Sequence, residues 1–205
     1  VVLVEGIQDR LIFEKLINYH AHAHDINKSE IIEVIEVHGK ENLLKYREFL
    51  KNIEVENFII ADFDYIFSIG DESINKLSTT DFKKIDEKVI KDKKSTDKET
   101  LAQRLETAIT SNLIDELKYI WEYIKNRFRK LKEPLNNSEK ERLSSFIKTK
   151  KDEKIYILQK GEIENYLPEG FKKLEKTIEL IKDENFDKWL LDTKNDDKRK
   201  ELDGV

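Results

Sequence analysis

Four short apolar runs limit what this chain can fold into: residues 1–4, 31–37, 58–61 and 155–158. Each is rich in Val and Ile, and each is too short to be a helix. Between the first two, Leu11, Ile12 and Leu16 share one helical face, and residues 41–50 form a second amphipathic segment. Gly6 and Gly39 punctuate the turns, Gly6 allowing a tight turn and Gly39 permitting close approach of the second loop. Strands alternating with helices imply βαβ units, and so an α/β fold with a mostly parallel sheet.

The fourth run lies far from the third, and the chain between them reads as helical. After a polar, lysine-rich stretch, Thr96 and Glu99 fit a capping box ahead of Leu101, Leu105, Ala108 and Ile109. A longer stripe follows through Leu113, Leu117, Ile120, Trp121, Ile124, Phe128 and Leu131, ended by Pro134. Trp121, Ile124 and Phe128 are expected in a core, with Arg127, Arg129, Lys130 and Lys132 on the solvated face. Ser138 and Glu141 suggest another capping box. The expected organisation is a core of residues 1–70 and 151–192, an all-helical insertion over 71–150, and a charged, frayed tail over 193–205. Opening inside a strand without methionine, the chain is expected to be a piece of a longer protein, with a domain upstream.

Acidic residues follow three of the four runs. Glu5 ends the first, with Asp9 four residues on. Asp62 and Asp64 end the third, and Glu162 and Glu164 follow the last, beside Lys160. A spacing of two puts both side chains on one side of an extended chain. In parallel sheets, sites form at the carboxyl ends of strands, so three clusters distant in sequence can converge there. Converging carboxylates repel unless cations hold them. An all-oxygen donor set suits Mg²⁺ or Mn²⁺, and two such ions can activate a water and stabilise a leaving oxygen in phosphodiester hydrolysis. Lys160 could neutralise charge on the phosphate. Taken singly, each pair is equally at home as a helix-capping or solvated strand-end acid.

Composition narrows the options. Thirty-eight basic and 43 acidic residues give a formal charge of −5, which argues against a protein that coats nucleic acid by charge alone. The absence of cysteine removes disulfides, thiolate zinc sites and cysteine nucleophiles, and fits the cytoplasm. No apolar run reaches the ~20 residues a membrane span needs. His20, His22 and His24 read as a solvated helix end, and His38, near the acidic cluster, reads as a loop residue or a phosphate contact.

Leu3-Val4-Glu5-Gly6 with Asp9, then Asp62-Phe63-Asp64, resembles the Toprim pattern of a glutamate after the first strand and an Asp-x-Asp after the third. Lys160-Gly161-Glu162-Ile163-Glu164-Asn165-Tyr166-Leu167, after a long helical insertion, is most similar to the C-terminal Toprim region of OLD-family (overcoming lysogenisation defect) nucleases. The resemblance implies a Toprim-like central sheet flanked by helices, with the insertion before the last core strand. It implies a two-metal DNA endonuclease or nickase using Mg²⁺ or Mn²⁺. Glu5, Asp9, Asp62, Asp64 and Glu164 would be ligands or their supports, and Lys160 the catalytic lysine. Glu162 could replace or assist Glu164. The implied partners are DNA, an upstream ABC-type ATPase domain and a second copy of the chain, with a role in DNA processing or anti-phage defence. RNA as substrate, and a non-catalytic assembly module of an ATPase complex, are the alternatives.

Overall fold

The computed structural model describes residues 1–23, 32–85, 96–182, 185–191 and 200–202. They divide into two compact units, Val1–Ser68 with Glu141–Val205, and Ile69–Lys140.

The first unit is built on β1 (Val2–Val4), β2 (Val34–Glu36), β3 (Phe58–Ala61) and, late in the chain, the strand Ile155–Ile157. Their order in the sheet is β2, β1, β3, then Ile155–Ile157, and every pair is parallel. The register pairs Leu3 with Ile35 and Ile59, and Ile60 with Tyr156. Central parallel strands bury both faces and need apolar side chains throughout. Leu3, Val4, Ile59 and Ala61 are accordingly buried. On one face Val2, Val4, Val34 and Ile60 pack against Ile12, Phe13 and Leu16 of helix α1 (Ile7–Ala23). Helix α2 (Leu43–Asn52) buries Leu43 and Leu50.

The second unit contains α4 (Glu72–Asn75), α5 (Phe82–Ile85), α6 (Thr96–Thr110) and α7 (Ile114–Arg127), after the short α3 (Ile66–Ile69) at the boundary. It is not wholly helical. Strands β4 (Ser78–Thr80) and β5 (Arg129–Leu131) pair antiparallel, Thr79 opposite Lys130. The stripe expected to run helically to Leu131 therefore breaks at Phe128, whose carbonyl accepts from Asp81 N–H at 2.7 Å. Three-residue strands are too short to show a period of two. Ile85, Ile120 and Ile124 form this unit's small core with Phe128 packed on it, whereas Trp121 is 43% exposed and stacks on Phe82. Trp121 is thus not the core residue the helical stripe implied.

Helix α8 (Asn137–Asp152) begins at a capping box two residues earlier than expected, Asn136 with Glu139 in place of Ser138 with Glu141. Asn136 N–H donates to Glu139 Oε2 at 3.0 Å and Glu139 N–H to Asn136 Oδ1 at 2.9 Å. The Asx side chain takes the cap ahead of Ser138. The strand Ile155–Ile157, hereafter β6, is followed by α9 (Leu174–Lys182) and α10 (Asn185–Leu191), whose Leu180, Phe186, Trp189 and Leu190 complete the core. Residues 200–202 are helical and Leu202 is 5% exposed within that core, so this part of the expected frayed tail is packed. His24, Ile31, most of the tail and the side chains of His22 and of the Thr96–Glu99 capping box lie outside the described residues. No helix among the described residues is long and apolar enough to cross a membrane.

Candidate metal centre

Three strand exits bring the predicted acids to one edge of the sheet. Glu5 leaves β1, Asp62 leaves β3 and Glu162 follows β6. The second acid of each later pair is not on an extended chain. Asp62 (φ −59°, ψ 158°) caps a 3-10 turn, Phe63–Tyr65, that contains Asp64. Glu162 (φ −80°, ψ 156°) caps a second, Ile163–Asn165, that contains Glu164. The expectation of two side chains on one side of an extended strand is thereby corrected. The chain bends at Asp62 directly after β3 and at Glu162 five residues after β6, where buried Tyr65 and Ile163 turn it back onto the core. The loops are joined directly by Phe63 N–H donating to the Gly161 carbonyl at 3.2 Å.

Electrostatics shows which acids lie within reach of one another. Burial, then the charges of Asp9, Glu5, Asp64 and Glu164, push the Asp62 carboxyl up to about 9. Burial pushes Asp9 up to about 7, opposed by the Gly6 N–H and reinforced by Glu164 and Glu5. Burial also raises Glu5, with Lys40 opposing and Asp64, Glu41 and Glu162 adding. All six predicted acids thus enter one network, Glu164 acting on Asp9 and Asp62, and Glu162 on Glu5.

Asp62 Oδ1 is buried with no hydrogen-bond partner. A buried carboxylate oxygen without a donor is costly unless a cation completes it. The all-oxygen donor set fits a hard divalent ion. Among the described residues, however, no three His, Asp or Glu side chains are gathered closely enough to hold a metal ion as they stand. Asp9 Oδ2 is occupied by Gly6 N–H at 3.0 Å, and Asp64 Oδ2 by the Lys40 ammonium at 2.5 Å.

Lys40 is the residue that reading the sequence missed. It follows the β2 exit, where Gly39 N–H donates to the Glu5 carbonyl at 3.1 Å. Gly39 has φ +119°, and a Cβ there would lie 2.8 Å from Glu41 Oε1. Its glycine is required; its position beside an acidic strand end was the available signal. Gly6 is different: its φ is not positive and an added Cβ would meet Asp9 Oδ2 at an ordinary 3.6 Å. The first turn does not demand glycine. Lys160 is exposed, and no ion pair joins its ammonium to the described carboxylates. What holds Lys160 is its backbone N–H, which donates to the Tyr166 hydroxyl at 2.9 Å. His38 is exposed, 3.7 Å from Glu36.

A parallel sheet with carboxylates converging at its strand exits is the arrangement of a Toprim-type domain. Residues 1–64, about a third of the chain, match the family model described as overcoming lysogenization defect protein-like, TOPRIM domain, and over those residues the chain is similar to an OLD-like Toprim domain. That match covers β1 through the Asp62–Asp64 exit. No curated protein and no solved structure gives a significant match.

Proposed function

We propose that the first unit is a metal-dependent nuclease domain that hydrolyses phosphodiester bonds in DNA. The observation that carries this reading is Asp62: a half-buried carboxyl whose Oδ1 is buried without a partner, acted on by the charges of four further acids at the carboxyl edge of a parallel sheet. An arrangement this costly without cations is unexpected of a purely structural strand end.

Glu5, Asp62, Asp64 and Glu164 would hold Mg²⁺ or Mn²⁺, with Asp9 and Glu162 as close supports. When bound, the ions would supply an activated water and charge stabilisation at the leaving oxygen. The chain's own residues do the rest. Asp9, tied to the Gly6 amide, fixes the β1 exit behind Glu5. Lys40, paired with Asp64, neutralises part of the acidic charge and would be a cation for an incoming phosphate. Lys160 lies exposed at the β6 exit, free to turn toward the substrate backbone. Proton release from Asp9 and Asp62 would accompany metal uptake. The insertion over 71–150, an upstream ABC-type ATPase domain and an anti-phage or DNA-processing role belong to the same proposal, resting on the OLD-like resemblance.

A plasmid-nicking assay tests it. With Mn²⁺ or Mg²⁺ the wild-type chain should nick supercoiled DNA, and Glu5→Gln or Asp62→Asn should abolish this without loss of fold. Undiminished cleavage by folded Asp62→Asn protein would reject the site.

A further inference from the structure

The loop that carries Glu162 and Glu164 has anchors at both ends. Ile163, Tyr166 and Leu167 are buried beneath it. At its start, Gly161 takes φ +108°, a conformation that packing alone does not impose. Gln159 and Lys160 are exposed there, yet both backbone N–H groups are held. Gln159 N–H donates to Glu201 Oε1 at 2.5 Å, and Lys160 N–H to the Tyr166 hydroxyl at 2.9 Å. Burial first, and then the nearby Glu201, hold the proton on the Tyr166 hydroxyl. A hydroxyl has one proton. Kept protonated beside Glu201, it offers a lone pair to Lys160 N–H, so Glu201 holds Gln159 directly and bears on the Lys160 bond through the Tyr166 proton. Bonds to an ionised acceptor are shorter and stronger than neutral ones, and chains of them reinforce one another. Glu201 is delivered by its neighbour Leu202, which is 5% exposed in the core of the same unit. The Asn165 amide adds a bond to the Lys160 carbonyl at 3.0 Å, and the Gly161 carbonyl is tied to Phe63 N–H at 3.2 Å.

We propose that Glu201 is a positioning residue, a clasp that fixes the 159–166 loop and, through it, the Glu162–Glu164 pair against the Asp62–Asp64 turn. It touches no reacting atom. Its bearing on metal binding rests on the nuclease reading above; its bearing on the loop does not. Residues far along the chain from the acidic motifs thereby set the geometry of the last of them.

The test uses the 205-residue chain and follows amide hydrogen exchange by mass spectrometry beside Mn²⁺ calorimetry. Glu201→Ala should speed exchange across 159–166 by roughly 10-fold or more, leaving β1 and β3 protected. Mn²⁺ should bind about 10-fold more weakly, as when an outer support of a metal ligand is lost. Glu201→Gln, which keeps an acceptor oxygen, should recover much of both. Tyr166→Phe keeps the ring and should speed the same amides, so it carries the test if Glu201→Ala fails to fold. Unchanged exchange over 159–166 in either variant overturns the clasp, as does equal loss of protection in β1 and β3. If wild-type protein takes up no Mn²⁺, the nuclease reading fails while the exchange data still decide the clasp.

Discussion

Replacing Asp62 by Asn should stabilise the metal-free protein, which is unusual for a buried polar site. The carboxyl is raised from 3.8 to about 9 by burial and by four neighbouring acids. The sign follows from linkage. Below 3.8 both folded and unfolded chains hold the proton and the group contributes nothing. As pH rises toward about 9 the unfolded chain releases a proton that the folded chain retains, and stability falls. At ~1.4 kcal/mol per pH unit, the ceiling at pH ~7.5 is about 5 kcal/mol. Water entry and side-chain relaxation lower this, since effective dielectric constants even at buried sites are far above those of dry protein. A gain of about 1–2 kcal/mol is expected, or roughly 3–8 °C in Tm for a domain of this size. Asn keeps an oxygen and adds two donors, which the surrounding carboxylates can accept. Thermal unfolding followed by circular dichroism in EDTA should give this gain at pH ~7.5 and about a third of it at pH ~5, where less of the linkage has accrued. Mn²⁺ should then raise the Tm of wild-type protein and leave Asp62→Asn unmoved. A lower Tm for the variant in EDTA, or an equal response of both proteins to Mn²⁺, would refute the reasoning.

Other perturbations separate the parts. Lys40→Met removes the ammonium paired with Asp64; the metal-free Tm should drop by a few degrees, for a loss of about 1 kcal/mol or less. Mn²⁺ should bind several-fold more tightly to that variant in calorimetry, and weaker binding would instead make Lys40 a support for Asp64. Mn²⁺ affinity of wild-type protein should rise at least about 10-fold from pH ~6.5 to ~8.5, because Asp9 and Asp62 must give up protons. Calorimetry in two buffers of different ionisation enthalpy should show that release, and a pH-independent affinity would remove both acids from the site. Gly39→Ala forces a side chain into φ +119° against Glu41 and should cost about 1–3 kcal/mol, whereas Gly6→Ala should stay within about 0.5 kcal/mol in denaturant unfolding.

The sheet was legible because β1, β3 and β6 are apolar on both faces, so their hydrophobic runs stand out against a highly charged chain. Glu5 and Asp62 were legible because they follow those runs at once, and Glu162 and Glu164 because they stand a few residues beyond the last one. Lys40 was not: one cation among 38 has no local mark, and its role depends on the left-handed turn at Gly39 bringing the β2 exit across to Asp64. Glu201 and Leu202 were hidden for the opposite reason. They sit in a charged stretch whose composition reads as solvated, and only tertiary packing reveals that one leucine is buried. β4 and β5 escaped because each is three residues long and half-exposed, with nothing for periodicity to detect.

The bends after β3 and β6 explain how a fold can house so many like charges. These strands are adjacent and parallel, with Ala61 opposite Ile157; β3 runs directly into Asp62 and β6 reaches Glu162 five residues on, and each of these acids caps a 3-10 turn holding a second acid. Had the chains continued extended, each pair would have pointed one way along its own strand, and nothing would have tied one loop to the other. Bent, the two turns share the Phe63–Gly161 hydrogen bond, so the β3 and β6 exits move as one body. The β1 and β2 exits are coupled in the same way, through Gly39 N–H and the Glu5 carbonyl. Repulsion then acts mainly between two halves, with Glu5 and Asp9 on one side and the four later acids on the other. Lys40 starts from the first half and pairs with Asp64 in the second, so it opposes that separation directly. A divalent ion shared by Glu5 and Asp62 would do the same work with twice the charge. Competition between them would then follow from how the strands exit, and it sets the sign expected for Lys40→Met.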